Sequence, residues 1–372
     1  MKLTIERAHL LKALSHVQSV VERRTTIPIL SNVLITASRS GVRLTATDLD
    51  LEMVEDAPAN VETEGAVTAP AHTLYEIVRK LPDGAELELE ATGDDPRLTV
   101  LAGRSQFALP ILPAGDFPTL SSDNLACQFS LPADELARLI DRSRFAVSTE
   151  ETRYYLNGIY LHAIEDEGTH KLRAVATDGH RLALADTPCP DAAKDLQGII
   201  IPRKTVAEAR RLLEDAQGDI QIAASPQKVR FEFGAAILTS KVIDGAFPDY
   251  GRVIPVGNDH HMVVENGLFG KAVDRVATIS SEKARSVKLS LEADRLILSV
   301  RNAEAGLAVE ELSVDYKGDP MEIGFNARYL LDICNEIQGD TATFSFADPA
   351  SPTLVTDEKD PLVRYVLMPL RV

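Results

Sequence analysis

The chain lacks most of the features by which catalytic, secreted or membrane-bound proteins declare themselves. Its 372 residues hold three cysteines, Cys127, Cys189 and Cys334. They stand far apart without CxxC spacing, so neither a disulfide framework nor a structural zinc site is indicated. No run approaches the roughly 20 apolar residues that a membrane span needs. The opening Met1-Lys2-Leu3-Thr4-Ile5-Glu6-Arg7 has no apolar signal core, so a cytoplasmic protein without a membrane partner is expected. Walker A, GxGxxG, HExxH, GxSxG and aromatic RNP patterns are all missing, which leaves no strong signature of a catalytic residue, metal or cofactor.

What the chain does have is internal repetition. Leu44-Thr45-Ala46-Thr47-Asp48-Leu49-Asp50 is echoed 130 residues later by Ala174-Val175-Ala176-Thr177-Asp178-Gly179-His180. Gly115-Asp116-Phe117-Pro118 is echoed, at the same offset, by Gly245-Ala246-Phe247-Pro248. One offset shared by two independent markers indicates a repeat unit. Similar strand-then-helix openings occur at Lys2, Phe129 and Met262. An α+β fold of three similar domains is expected, near 1–122, 123–254 and 255–372, each with two strand–helix–strands halves. Linkers are expected at Ser121-Ser122-Asp123-Asn124 and Pro255-Val256-Gly257-Asn258.

The first helices carry apolar residues at helical spacing: Leu10, Leu14, Val17 and Val21; then Leu136, Leu139 and Ile140; then Leu268, Ala272 and Val276. The second helices start near Ala69-Pro70, Ile201-Pro202 and Phe325-Asn326, where proline or an asparagine cap suits a first turn. Alternating stretches at 86–90, 229–233 and 295–300 read as half-buried strands.

A formal charge of −17 argues at face value against a nucleic-acid partner. The distribution argues otherwise. The helical stretches 6–24, 70–80, 132–144, 202–215, 265–285 and 326–338 hold 18 of the 39 basic and 14 of the 56 acidic residues, leaving 21 and 42 for the rest. Lysine and arginine are good helix formers, which accounts for some enrichment. Alternatively, the helices line one mildly cationic surface on an acidic body, able to hold a polyanion loosely and without sequence preference.

Other candidates admit two readings. Asp178 and His180, with His162 upstream, could form a general acid/base pair or metal site, making the chain a metal-dependent hydrolase; yet their repeat counterparts Asp48 and Asp50 lack histidine, and a turn with Asp178-Gly179 at its corner fits as well. Arg153-Tyr154-Tyr155 suits core packing, or an exposed platform for bases and phosphate. The apolar ending Tyr365-Val366-Leu367-Met368-Pro369-Leu370 suits a final strand or a partner-docking patch.

Together, Ile27-Pro28-Ile29-Leu30, Arg153-Tyr154-Tyr155-Leu156-Asn157-Gly158, Val175 to Leu182, Ile201-Pro202-Arg203-Lys204, Thr239-Ser240-Lys241, Phe247-Pro248-Asp249-Tyr250 and Val366 to Arg371 resemble the bacterial sliding clamp family, the beta subunits of DNA polymerase III. The resemblance runs through all three repeats. It implies a head-to-tail homodimer, a ring of six domains with helices inside and sheets outside, threaded by double-stranded DNA and conferring processivity without catalysis. By resemblance, Arg24, Arg79, Arg153, Tyr154, Tyr155, Arg203 and Lys204 are DNA-binding residues. A pocket for short linear peptides of the replicative polymerase catalytic subunit, the clamp loader and other proteins would comprise Leu156, Thr177, Gly179, His180, Arg181, Leu182, Pro248, Arg252, Val253, Val366, Met368, Pro369, Leu370 and Arg371. The dimer contact would join Phe107 to Thr278 and Ile279. Two departures stand out: Glu150-Glu151 make the Arg153 loop acidic, and Gly251 stands beside Arg252 where relatives can carry a second basic residue. An adaptor that never encircles DNA is the remaining alternative.

Overall fold

A computed structural model describes residues 1–93, 96–120, 125–166, 168–280 and 285–371. Its α-helices are α1 (Arg7–Val17), α2 (Ala71–Lys80), α3 (Ala133–Arg144), α4 (Arg203–Leu212), α5 (Asn266–Ala277) and α6 (Ala327–Glu336). Each follows directly on a strand. The expected linker 121–124 lies outside the described residues, as do residues 281–284.

Two helices, α1 and α5, end earlier than the helical stretches 6–24 and 265–285 read from the sequence. Beyond Val17, the Ser19 hydroxyl donates to the His16 carbonyl at 2.7 Å. Beyond Ala277, Ser280 does the same to the Ala277 carbonyl at 2.7 Å. Such local side-chain bonds satisfy terminal carbonyls and compete with a further helical turn. Pro70 and Pro202 close the preceding strands instead of opening the helices. Asn326 does cap α6, its side chain accepting from the Arg328 N–H at 3.0 Å.

The stripe of α5 holds at Ala272 and Val276, but its first member is Phe269 instead of Leu268. Leu268 is 56% exposed, while Phe269, Ala272, Val273 and Val276 are buried. The Glu265 carboxylate accepts from the Gly267 and Leu268 N–H groups and so fixes where the helix begins. Phe269 then meets the Phe344 ring edge-on, centroids 5.2 Å apart.

The chain packs as two compact units, one of residues 1–136, 190–196 and 204–242, the other of 137–189, 197–203 and 243–372. The three-part division read from the repeats follows sequence similarity; these units follow the sheets. The first unit contains an eight-stranded sheet in the order Cys127–Pro132, Asp219–Ala224, Lys228–Phe233, Ala236–Lys241, Leu51–Ala57, Gly41–Thr47, Asn32–Ser38, Gly65–Pro70. It also has a five-stranded sheet, Asn60–Thr63, Lys2–Glu6, Glu86–Glu90, Arg97–Ala102, Ser105–Pro110, whose last strand is an edge.

The second unit repeats the first arrangement. Its large sheet runs Asp315–Tyr316, His260–Glu265, Thr341–Phe346, Thr353–Asp357, Val363–Leu367, Arg181–Pro188, Thr169–Thr177, Gly158–Asp166, Ile199–Pro202. Its smaller sheet runs Gly306–Ser313, Arg295–Asn302, Ser286–Glu292, Met321–Asn326, with Gly306–Ser313 at the edge. In both large sheets one antiparallel seam joins strands distant in sequence: Ala236–Lys241 to Leu51–Ala57, and Val363–Leu367 to Arg181–Pro188.

The phase of α5 gives a direct test. Phe269→Ala should cost about 3–5 kcal/mol in chemical denaturation, as expected for a buried aromatic, whereas Leu268→Ala should stay within about 0.5 kcal/mol, as for an exposed residue. Similar losses at both positions would show that the helix is rotated.

Candidate functional site

The two Thr-Asp sequences fold into the same turn, one in each unit. In the first, the Thr47 hydroxyl donates to the Leu51 carbonyl (2.9 Å) and accepts from the Leu49 N–H (3.0 Å). Asp48 Oδ1 accepts from the Asp50 and Leu51 N–H groups at 3.0 and 2.7 Å. In the second, Thr177 donates to the Arg181 carbonyl (2.7 Å) and accepts from Gly179 N–H (3.1 Å), while Asp178 Oδ1 accepts from His180 and Arg181 N–H at 2.9 and 3.0 Å. The third turn position is left-handed in both, φ 80° at Leu49 and 88° at Gly179. Leucine bears that strain in the first copy; glycine relieves it in the second.

The copies diverge in what they add to this frame. In the first, ion pairs fill the corner: Lys204 Nζ meets Asp48 Oδ2 at 2.6 Å, and Lys241 Nζ meets Asp50 Oδ1 at 2.9 Å. In the second, Arg181 is buried and held from several sides. Its Nε donates to Asp178 Oδ2 (3.1 Å), Nη2 to the Phe145 carbonyl (2.6 Å) and Nη1 to Asp332. The guanidinium also lies over the Tyr329 ring, 4.4 Å from its centroid. Both Asp178 oxygens are thus spent on the turn and on Arg181, and the His180 ring stacks on Tyr329 at 6.5 Å. An acid/base or metal role for the Asp178/His180 pair finds no support in this geometry. Among the described residues no group of three or more His, Cys, Asp or Glu could hold a metal ion.

Beside this turn lies a largely apolar cleft of about 200 Å³. From the expected pocket set it gathers Leu156, Thr177, Gly179, Arg181, Leu182, Pro248, Val253, Val366 and Met368. Arg252, His180, Pro369, Leu370 and Arg371 do not line it. Arg252 is exposed and paired with Asp249 at 2.7 Å. The Met368 N–H donates to the His180 carbonyl (2.9 Å), and the tail then leaves along another strand, with the Leu370 N–H on the Gly324 carbonyl at 2.8 Å. Asp249 and Tyr250 line the cleft and were missed. The signal was present, since both belong to the Phe247-Pro248-Asp249-Tyr250 segment.

The remaining expected residues are scattered. Arg24 and Arg203 are exposed. Arg79 pairs with Glu76 at 2.8 Å, and Lys204 is drawn to Asp48 and Glu22. Arg153 is clasped by Glu150, Nε to Oε2 at 2.7 Å, so the acidic loop does engage it. A Cβ at Gly179 would come within 2.6 Å of Arg153 Nη1. Tyr154 is 53% exposed, edge-on to Tyr155 with centroids 5.7 Å apart. Phe107 is half-buried on the edge strand Ser105–Pro110. Thr278 is the C-cap of α5, and Ile279 follows it.

Behind the cleft, three residues paired across neighbouring strands form a polar row: His162 opposite Arg173, and Arg173 opposite Asp186. Arg173 makes two bonds to Asp186, at 2.6 and 2.7 Å. Burial works against the Arg173 charge, yet its hydrogen bonds to Asp186 and Tyr250 outweigh burial and raise its pKa. Burial pushes the His162 imidazole from 6.5 down to about 4, with Arg173 adding to the shift and the Ala163 backbone and Asp186 opposing it. The unfolded chain therefore binds a proton on His162 that the folded chain refuses. Stability should fall as pH drops from about 6.5 towards 4, by about 3 kcal/mol if this group acted alone. His162→Gln should remove that increment from the urea-denaturation pH profile; an unchanged profile would refute the shift.

Comparison with known proteins agrees with this architecture along the whole chain. Family models of the DNA polymerase III beta subunit match its N-terminal domain at residues 1–121, central domain at 130–249 and C-terminal domain at 251–371. The beta sliding clamp of Caulobacter vibrioides is 65% identical over 372 residues, and that of Escherichia coli K12 is 39% identical over 373; both comparisons cover all of each chain. A crystal structure of the Caulobacter crescentus beta sliding clamp superposes with a TM-score of 0.98 at 65% identity, covering 100% of this chain and 99% of that one. A Bartonella birtlesii sliding clamp bound to griselimycin gives 0.97 at 48% identity, with both chains fully covered. The chain belongs to the DNA polymerase III beta subunit family, the bacterial sliding clamps, which act as ring-shaped processivity factors in DNA replication.

Proposed function

We propose that this sliding clamp closes as a head-to-tail homodimer through the two edge strands, and that it docks short partner peptides in the cleft beside Arg181. The observation that carries the dimer is the sheet order. Each large sheet consists of one half ending on a seam strand and a second half beginning on its mate. The sheet ending on Ser105–Pro110 is a first half without a second; the sheet beginning on Gly306–Ser313 is a second half without a first. An unpaired strand leaves backbone donors and acceptors open. Pairing Ser105–Pro110 of one chain with Gly306–Ser313 of another restores the missing seam, and two chains do so twice. Phe107 then meets the partner near its Thr278 and Ile279, and Leu307 and Val309, 61% and 58% exposed in the single chain, become covered.

Three domains per chain, near 1–122, 123–254 and 255–372, give a six-domain ring in this reading. Arg24, Arg79, Arg153, Tyr154, Tyr155, Arg203 and Lys204 face duplex DNA. Several of these cations already have acidic neighbours within the chain, which suits contacts weak enough to slide. Retention on DNA is topological, and the chain itself catalyses nothing. The cleft takes an apolar peptide segment, since Leu156, Leu182, Val253, Val366 and Met368 form its walls, while Thr177 and Arg181 are engaged within the turn beside it. Its partners are the replicative polymerase catalytic subunit, the clamp loader and other replication proteins, in the bacterial cytoplasm. Leu370 and Arg371 continue from the cleft as its flank.

Three outcomes are expected. Clamp loaded on nicked circular DNA should be retained in gel filtration and lost when the circle is linearised; equal retention on both would refute the topological mechanism. Truncation after Leu367 removes Met368 from the cleft and should weaken binding of the cognate polymerase subunit at least a hundredfold, with dimer and thermal unfolding nearly unchanged. Leu307→Lys should shift sedimentation from dimer to monomer; a persistent dimer means the edge strand lies outside the interface.

A further inference from the structure

The wall of the cleft formed by Pro248, Asp249, Tyr250 and Val253 lies in a connection, not in a sheet. Between the Ile243 N–H, which donates to the Ile200 carbonyl at 2.9 Å, and the strand starting at His260, this segment has no strand pairing. A binding wall built from irregular backbone keeps its shape only if side chains anchor it. Here the anchors are rings. Tyr160 stacks on Phe247, nearly parallel at 7° with centroids 4.8 Å apart, and on its other neighbour His162 at 4.5 Å. Tyr250 stands edge-on to both Phe247 (6.4 Å) and His162 (5.7 Å).

One polar contact fixes Tyr250 within this set. Its hydroxyl lies 2.8 Å from His162 Nε2 and 3.5 Å from Arg173 Nη1. Arg173 can only donate, so Tyr250 Oη accepts from it and keeps its own proton free for His162. With the His162 Nε2 unprotonated, that proton completes the 2.8 Å bond. Arg173 in turn is held by Asp186, which Arg364 also approaches at 3.6 Å. The row crosses four neighbouring strands and ends on a residue lining the cleft.

We infer that His162 is a positioning residue for partner-peptide binding: as a neutral acceptor it orients Tyr250, and with it the Pro248–Val253 wall, from outside the cleft. This rests on the peptide-cleft reading above. His162 need not touch the peptide; it sets the place of a residue that does.

The test measures affinity of the dimeric full-length chain for the cognate polymerase catalytic subunit, alongside thermal unfolding. His162→Phe keeps a stacking ring but removes the acceptor, and should weaken binding about tenfold. Tyr250→Phe, a milder change that removes only the hydroxyl, should weaken it similarly. The double variant should bind no worse than either single one, because both remove the same bond. His162→Gln, whose amide oxygen can accept, should recover affinity to within about threefold of wild type. Nitrogen NMR of the histidines should show His162 Nε2 without a proton at pH 7. Unchanged affinity in His162→Phe, additive effects in the double variant, or failure of Gln to outperform Phe would each overturn the inference. Truncation after Leu367 separates the two readings. If it leaves binding intact, the cleft is misassigned; if it abolishes binding while His162→Phe does not weaken it, only the positioning role falls.

Discussion

The structure depends on one antiparallel seam used twice within the chain. Ala236–Lys241 against Leu51–Ala57, and Val363–Leu367 against Arg181–Pro188, each join strands that local sequence could not bring together. Each seam makes a continuous sheet out of two halves, so backbone groups that would form two exposed edges are satisfied inside one ladder. Its sides must be complementary, and the burial pattern reflects this: Ala236, Leu238 and Ser240 are buried on one strand, Leu51, Met53 and Glu55 on the other. A fold built by repeating one seam necessarily ends with a strand of each kind unpaired. Self-association through those strands is therefore the ordinary solution of a hydrogen-bonding problem.

The same seam explains where a docking cleft arises. Both large sheets carry the Thr-Asp turn at the end of the strand preceding the seam, held by identical hydrogen bonds. The frame costs each copy a left-handed residue, and the sequences meet that cost differently. Leu49 leaves a side chain on the turn, and Lys204 and Lys241 close the corner by pairing with Asp48 and Asp50. Gly179 leaves the turn bare, and Arg181 swings into the interior towards Asp332 and Tyr329 instead of filling the surface. Ion pairs flank the turn in one copy, and a largely apolar cleft flanks it in the other. In the peptide-docking reading proposed above, divergence at four residues, Gly179 to Leu182, turns a structural corner into a recognition surface.

The legibility of the sequence follows from the range of the interactions involved. Repeats, helices and the Thr-Asp turn depend on neighbours within a few residues, and the apolar period of α1 and α3 was readable for that reason. Helix ends were less so, because Ser19 and Ser280 decide them through single side-chain bonds. The first buried position of α5 is ambiguous because Leu268 and Phe269 are adjacent apolar residues, and the Glu265 cap selects between them. The seams could not be read from periodicity at all, since an alternating strand does not disclose its partner. Charge was legible as composition but not as geometry: Lys204 counts as one cation in a helix, yet it is shared between two carboxylates.

The cleft's outer wall lay furthest from what spacing can reveal. Tyr160 sits in a strand that periodicity did not single out, His162 was weighed only beside Asp178 and His180, Phe247 and Tyr250 lie in a repeat marker, and their stacking depends on that connection meeting the sheet. Once there, the rings leave little freedom. An offset aromatic stack tolerates sliding, but an edge-on tyrosine with its hydroxyl bonded does not. Arg173 can only donate, to Asp186 on one side and to the Tyr250 hydroxyl on the other, which leaves the hydroxyl proton free for an unprotonated His162 Nε2. Burial of the imidazole, by disfavouring its cation, keeps one ring nitrogen free to accept across the neutral pH range. In the peptide-docking reading proposed above, the rigidity of this wall comes from the sheet beneath it, transmitted through the ring stack and the bond between Tyr250 and His162.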